Sequence, residues 1–253
     1  MTFMPLAGIF AVKRCDEGVF LDECWYGPFR AGFAVVCGRF VINMPTDLMA
    51  QVFDAVSFND LPVVPNFNVC PTTNVHVVKS DESGRKLGAM RWGFLPQWYK
   101  SPSDGPLLIN ARAETIAEKP AFKTACRERR CIIPISGFYE WMRDGKLRLP
   151  WYIQRADRDV MALAGIWQDW GEDATPTCAM VTTQATGKMS DIHHRIPIIL
   201  EQKDWGKWLG EDGKGAALLM NEAADGMLDF HRVDTEVNSN RASGAHLIDP
   251  IAA

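Results

Sequence analysis

The sequence has no apolar run long enough to cross a bilayer, which argues against a helical membrane protein. Its opening apolar stretch, "FMPLAGIFAV" at 3–12, has its charges behind it, at Lys13 and Arg14. A secretion signal carries them in front, so a cytoplasmic location is expected. The seven cysteines form no CxxC pair and follow no zinc-finger or zinc-ribbon spacing, so no metal site is expected and the thiols read as reduced. No internal repeat and no low-complexity segment is present. Nor is there a surplus of positive charge, with 27 basic residues against 31 acidic and a net charge of -4. That balance argues against a protein that coats nucleic acid non-specifically, while a local basic groove stays open.

What is present is an ordinary globular composition. Hydrophobic residues make up 47% and charged residues 23% of 253, enough for a sizeable core and consistent with one domain. Residues 1–36 have poor periodicity and read as a weakly organised extension, and structured text begins near Val35. "VVCGRFVI" (35–42) reads as a strand, and "PTDLMAQVFDAV" (45–56) as a helix with Thr46 at its N-cap. Residues 74–94 read as a hairpin around the turn-forming "DESG", and "KPAFKTACRER" (119–129) as a helix with Pro120 near its start. Strand-like runs follow at 131–136, 138–142, 149–154, 160–167, 178–185 and 196–200. Short helices at 203–209 and 215–226 then precede a last strand near 230–234. Strands outnumber helices and do not alternate with them. The expected fold is a single α+β domain, a curved antiparallel sheet or barrel with flanking short helices.

Four stretches place reactive or charged side chains against apolar neighbours: "CGRF" (37–40), "NARAET" (110–115), "GFYEW" (137–141) and "HHRIP" (193–197). Cys37 reads as a small core residue or as a nucleophile. Glu140, between Tyr139 and Trp141, reads as an outward-facing strand residue or, if desolvated, as a general acid with a raised pKa. Asn110 ends the apolar "PLLI" and is a turn residue or an amide that orients a nucleophile. His193 and His194 invite a metal reading, but no third ligand or zincin spacing accompanies them. Arg39, Arg112 and Arg195 mean little singly; together at one cleft they would bind phosphate.

Taken in order, the stretches "CGRF", "PNFNVCPTT", "MRWGFLPQW", "INARAET", "KPAF", "RRCIIPISGFYEW", "AGIWQDW" and "HHRIPIIL" resemble the SOS-response-associated peptidase (SRAP) family, the abasic-site processing proteins. The resemblance runs from 37 to about 208 and divides the chain into an extension, 1–36, and an SRAP-like catalytic domain, 37–253. It implies an N-terminal cysteine at Cys37, left by removal of the initiator Met. The free α-amine of such a residue attacks the ring-opened aldehyde of an abasic site, and its thiol closes a thiazolidine. By motif position, Asn110 would hold the amine and thiol, Glu140 would be general acid and base, and His193 would assist proton transfer. Arg39, Arg112 and Arg195 match phosphate contacts, and Trp92 and Pro71 match the apolar surface that packs against flanking bases.

The resemblance implies single-stranded DNA containing abasic sites as the partner, a monomer, no membrane and no cofactor. Its alternative is a cysteine peptidase or amidase with the same N-terminal nucleophile. As written, the chain buries the amine of Cys37 in a peptide bond. Translation from Val36, or cleavage of a propeptide before Cys37, would free it. Neighbouring residues of an extended segment point to opposite sides, so only one of the two histidines is expected to face Cys37 and Glu140.

Overall fold

The computed structural model describes residues 38–221 and 226–251. The readings made for 1–37, Cys37 and the start of the first strand included, lie outside the described residues. The strands are β1 (Phe40–Ile42), β2 (Ala55–Ser57), β3 (Asn66–Val69), β4 (Asn74–Asp81), β5 (Gly84–Trp92), β6 (Asn110–Arg112) and β7 (Arg130–Ile135). They continue with β8 (Gly137–Asp144), β9 (Leu147–Arg155), β10 (Met161–Trp170), β11 (Thr175–Gln184), β12 (Arg195–Pro197), β13 (Ile199–Leu200) and β14 (Leu228–Arg232). Among the described residues four short α-helices accompany them: α1 (Thr46–Val52), α2 (Lys123–Glu128), α3 (Gly187–Ile192) and α4 (Trp205–Leu209).

The α+β expectation is met by two sheets. One has five strands in the order β14-β9-β8-β1-β3; the other has nine, built on the path β12-β11-β10-β7-β4-β5-β2. Pairing of β5 with β11 closes β11, β10, β7, β4 and β5 into a ring. The sheet is not wholly antiparallel: β5–β11, β6–β11 and β2–β5 run parallel. The 45–56 helix ends early, because Asp54 has φ 49 and β2 begins at Ala55. Thr46 is its first helical residue and Pro45 the N-cap.

Several of the tryptophans serve as struts. Trp92 (0% exposed), Trp205 (4%) and Trp208 (0%) bury their rings in the main core. Each indole N–H donates to a backbone carbonyl, of Ile109, Leu200 and Cys131 respectively. A buried indole thus supplies apolar area without orphaning its one donor.

Between β7 and β8 the chain passes from one sheet to the other across a single residue. β7 ends at Ile135, β8 starts at Gly137, and Ser136 lies between. The Ser136 amide donates to the Val41 carbonyl at 2.8 Å and its hydroxyl accepts from the Asn43 amide at 3.0 Å. Gly137 is required by close approach, since a Cβ there would lie 2.4 Å from the Tyr152 ring and hydroxyl. Along β8 the faces then alternate. Phe138 and Met142 pack against the main core, whereas Tyr139 and Trp141 pack against a second, smaller cluster with Val41, Tyr152, Val233 and Val237. Glu140, three residues past the glycine, shares the main-core face.

Candidate active site

Glu140 is 1% exposed. Its Oε1 lies 3.7 Å from Nδ1 of His193. The two groups come from different sheets: Glu140 from β8 of the five-stranded sheet, His193 from the segment leading into β12 of the nine-stranded one. The site sits at their seam. His193 ends α3, its amide donating to the Met189 carbonyl at 2.9 Å, and it adopts extended geometry at φ −154, ψ 144.

Burial lowers the pKa of His193, and the neighbouring charges of His194, Arg143 and Arg195 act the same way against the raising effect of the Arg195 backbone bond. Nδ1 lies 3.2 Å from the Arg195 amide nitrogen and 3.3 Å from the Arg195 carbonyl oxygen. The ring therefore accepts from the amide when Nδ1 is bare and can donate to the carbonyl when Nδ1 carries a proton. Both protonation states have a partner, as a proton-transfer group needs.

The histidine pair departs from the expected geometry. His193 is half-buried and His194 exposed, as expected, but the rings lie 4.4 Å apart with a 37° tilt instead of on opposite sides. The physical reason is that regular strand begins only at Arg195. The two histidines occupy the exit from α3, where period-two alternation does not hold.

Asn110 and Arg112 lie on β6, which pairs with β11 through Asn110–Met180 and Arg112–Thr182. The Met180 amide donates to Ile109 and the Ala113 amide to Thr182, fixing this three-residue strand at both ends. Arg112 lines a recess of about 270 Å³ together with Gln184, His194 and Arg195. Arg195 is 7% exposed, and its two terminal nitrogens grip Glu114 at 2.6 and 2.9 Å while one also donates to the Thr182 carbonyl at 2.7 Å. The bidentate bond to Arg195 holds the Glu114 carboxyl below its ordinary pKa. Two stretches singled out separately, "NARAET" and "HHRIP", are therefore tied by one ion pair. The charge of Arg195 is largely compensated, while Arg112 has no ion-pair partner among the described residues.

The other expected residues lie elsewhere. Arg39 is not in the recess: its Nη1 donates to Asn68 Oδ1 at 2.7 Å and to the Val237 carbonyl at 3.0 Å. Its own carbonyl accepts from the Tyr139 amide at 2.9 Å, so the described chain begins alongside the residue that precedes Glu140. Trp92 is wholly buried against Phe40, with ring centroids 5.0 Å apart, and offers no face to a base. Pro71 is buried too, in a turn held to Trp92 by the Thr72 amide at 2.7 Å. Sequence reasoning overlooked Glu114, although it stands inside a quoted stretch. It also overlooked Arg143 and Arg148.

Residues 36–240 match the family model described as SOS response associated peptidase (SRAP). The chain belongs to that family. Among curated proteins of this kind it is 37% identical over 223 residues to abasic site processing protein YoaM of Bacillus subtilis, covering 85% of this chain and 98% of that one. It is 30% identical over 230 residues to abasic site processing protein YedK of Escherichia coli, covering 85% and 100%. The fold matches a crystal structure from Bacteroides thetaiotaomicron with a TM-score of 0.73, over 86% of this chain and all of that one at 22% identity. In this SRAP chain, of the residues that the family resemblance singled out, Glu140 and His193 meet at the seam, and Arg112 and Arg195 line the recess. No helix among the described residues is long and apolar enough to cross a membrane.

Proposed function

We propose that this chain processes abasic sites in single-stranded DNA by forming a covalent crosslink through Cys37. The observation that carries this reading is the buried Glu140 carboxyl 3.7 Å from His193, beside a recess lined by Arg112. The names of its relatives point to the same substrate. Cys37 would act as the N-terminal residue, freed by initiation at Val36 or by cleavage before Cys37.

The α-amine, with an ordinary pKa of about 7.7–8.0, is partly neutral near pH 7 and adds to the open-chain aldehyde of the abasic sugar. Glu140 protonates the carbinol oxygen, water leaves, and an imine forms. The thiol sulfur then adds to the imine carbon and its proton passes to the nitrogen, closing a five-membered thiazolidine. This second attack is intramolecular, which turns a reversible adduct into a durable one. His193 exchanges protons with Glu140 and the sugar, and Asn110 orients the amine and thiol.

The test mixes abasic single-stranded DNA with protein beginning at Cys37, and separately with protein beginning at Met1, followed by denaturing electrophoresis. A shifted covalent band is expected from the first alone. Equal bands from both, with Met1 still attached by mass, would sink the mechanism. Peptide hydrolysis without any band would favour an amide-cleaving cysteine enzyme.

A further inference from the structure

The β8–β9 hairpin carries Arg143 and Arg148 on one face, and Arg39 approaches the same tryptophan from the β1 side. β8 and β9 pair with Trp141 opposite Pro150 and Arg143 directly opposite Arg148. The Arg148 guanidinium carbon lies 5.2 Å from the Trp141 ring centroid, and that of Arg39, from the neighbouring β1 side, lies 5.8 Å from the same centroid. Both distances fall within cation–π range. Like charges directly across a strand pair destabilise it. Here two guanidinium groups lie over one indole and a third, that of Arg143, stands on the residue paired with Arg148, in a chain whose acidic residues outnumber its basic ones.

Among the described residues, none of the three has a carboxylate within ion-pair distance. The adjoining Asp144 lies on the other side of the strand by alternation. Burial lowers the pKa of Arg148, and Arg143 and Arg39 push it the same way, while Glu140 opposes them. The cluster is therefore short of negative charge, and its tryptophan directly follows the candidate catalytic carboxyl in β8.

It is also held in place. The Trp141 indole N–H donates to Asn238 Oδ1 at 2.5 Å, and Asn238 Nδ2 donates to the Arg148 carbonyl at 3.5 Å. Arg39 donates to the carbonyls of Val237 and Ser239 at 3.0 and 3.3 Å. One turn of the C-terminal segment thus fixes both the ring and an arginine, and leaves Arg143 and Arg148 exposed.

We propose that Arg143 and Arg148, with Arg39 and the Trp141 ring, form a phosphate-binding site separate from the Arg112 recess, which holds the DNA backbone on one flank of the nucleotide processed at Glu140 and His193. The inference rests on the proposed function for its polymer. Its chemistry is that of a guanidinium pair on a phosphodiester, with the indole as a stop for the adjoining sugar or base.

The experiment uses protein beginning at Cys37 and an undamaged fluorescent oligothymidylate, so that binding is read without any covalent step. Anisotropy titrations across a salt series give the log–log slope. The double variant Arg143→Ala/Arg148→Ala is expected to flatten that slope by about 0.7 to 1.4, one or two phosphate contacts, whereas Arg143→Lys/Arg148→Lys keeps it. A wild-type slope in the alanine variant overturns the site. So does an equal loss in both variants, which would mark a structural role.

Abasic oligonucleotides with the lesion at either end add a second readout. The alanine variant should lose crosslinking rate at one end more than at the other, because one end lacks the flank in question; an equal change at both ends overturns the flank assignment. If wild type binds the oligothymidylate but never crosslinks, the thiazolidine mechanism fails and the phosphate site stands. If wild type binds no single-stranded DNA, both fall.

Discussion

The ring of the nine-stranded sheet and the seam between the two sheets bury ionisable groups in opposite ways. On β4, a strand of the ring, His76 is 1% exposed and neither ring nitrogen has a hydrogen-bond partner among the described residues. At the seam, Arg195 is 7% exposed but grips Glu114 and Thr182, and Glu140 faces His193. The same kind of burial leaves an imidazole inert in one place and supplies it with alternative proton partners in the other. Burial alone therefore does not mark a site; a second titratable group within reach does.

The sharpest way to break this contrast is at the seam. Glu140→Gln should slow crosslinking by about a hundredfold or more, the usual cost of losing a general acid or base, while single-stranded DNA binding stays near wild type. Rates on one abasic oligonucleotide decide it, and an unchanged rate would make Glu140 a strand residue like any other.

The ring is tested through acid stability. An imidazole ordinarily titrates near 6.5, and burial lowers His76 to about 4. Because the folded pKa is depressed, the unfolded chain takes up the proton first. The contribution of His76 to stability is complete above pH 6.5, is lost as pH falls, and levels off below about 4. At about 1.4 kcal/mol per unit, the loss amounts to roughly 3 kcal/mol. Urea unfolding from pH 7 to 4 should show this extra acid sensitivity in wild type and not in His76→Leu. Parallel curves would mean that a water or a local opening already satisfies the ring.

The smallest effect separates the adjacent histidines. The charge of His194 depresses the pKa of His193, though less than burial does. His194→Ala should shift the acid limb of the crosslinking profile upward while leaving the plateau rate close to wild type. A shift downward, or a lost plateau, would assign the proton-transfer role to His194.

Much of the framework was legible because it is local. The β4–β5 hairpin declares itself through two strand-like runs joined by "DESG", and the structure turns there, the Ser83 amide donating to Asp81 at 2.8 Å. The closure of the ring was not legible. It joins Arg91 to Thr177 in parallel, and no periodicity encodes a partner that distant. The site divides the same way. Glu140 stood out because aromatic residues flank it, and the family order of motifs singled out His193 rather than His194. The compensation of Arg195 by Glu114, 81 residues away, was hidden, and so was the burial of Trp92, whose ring serves the core. Arg143 and Arg148 become a pair only once the hairpin register is known, although two arginines flanking "DGKL" were a usable signal.

The corner at Ser136 has an entropic meaning. A carboxyl that must meet a substrate is often carried on a loop, and ordering that loop on binding costs backbone freedom of about 1–2 kcal/mol per residue fixed. Here one residue separates the ring wall from the strand that bears Glu140, and that residue is already tied on both sides by Val41 and Asn43. Almost no chain remains to be quieted between the scaffold and the carboxyl, so its position was settled when the protein folded. Under the proposed function, a DNA strand arriving at the seam would meet a group with little disorder left to lose, and its binding free energy would go to holding the opened sugar rather than to arranging the protein.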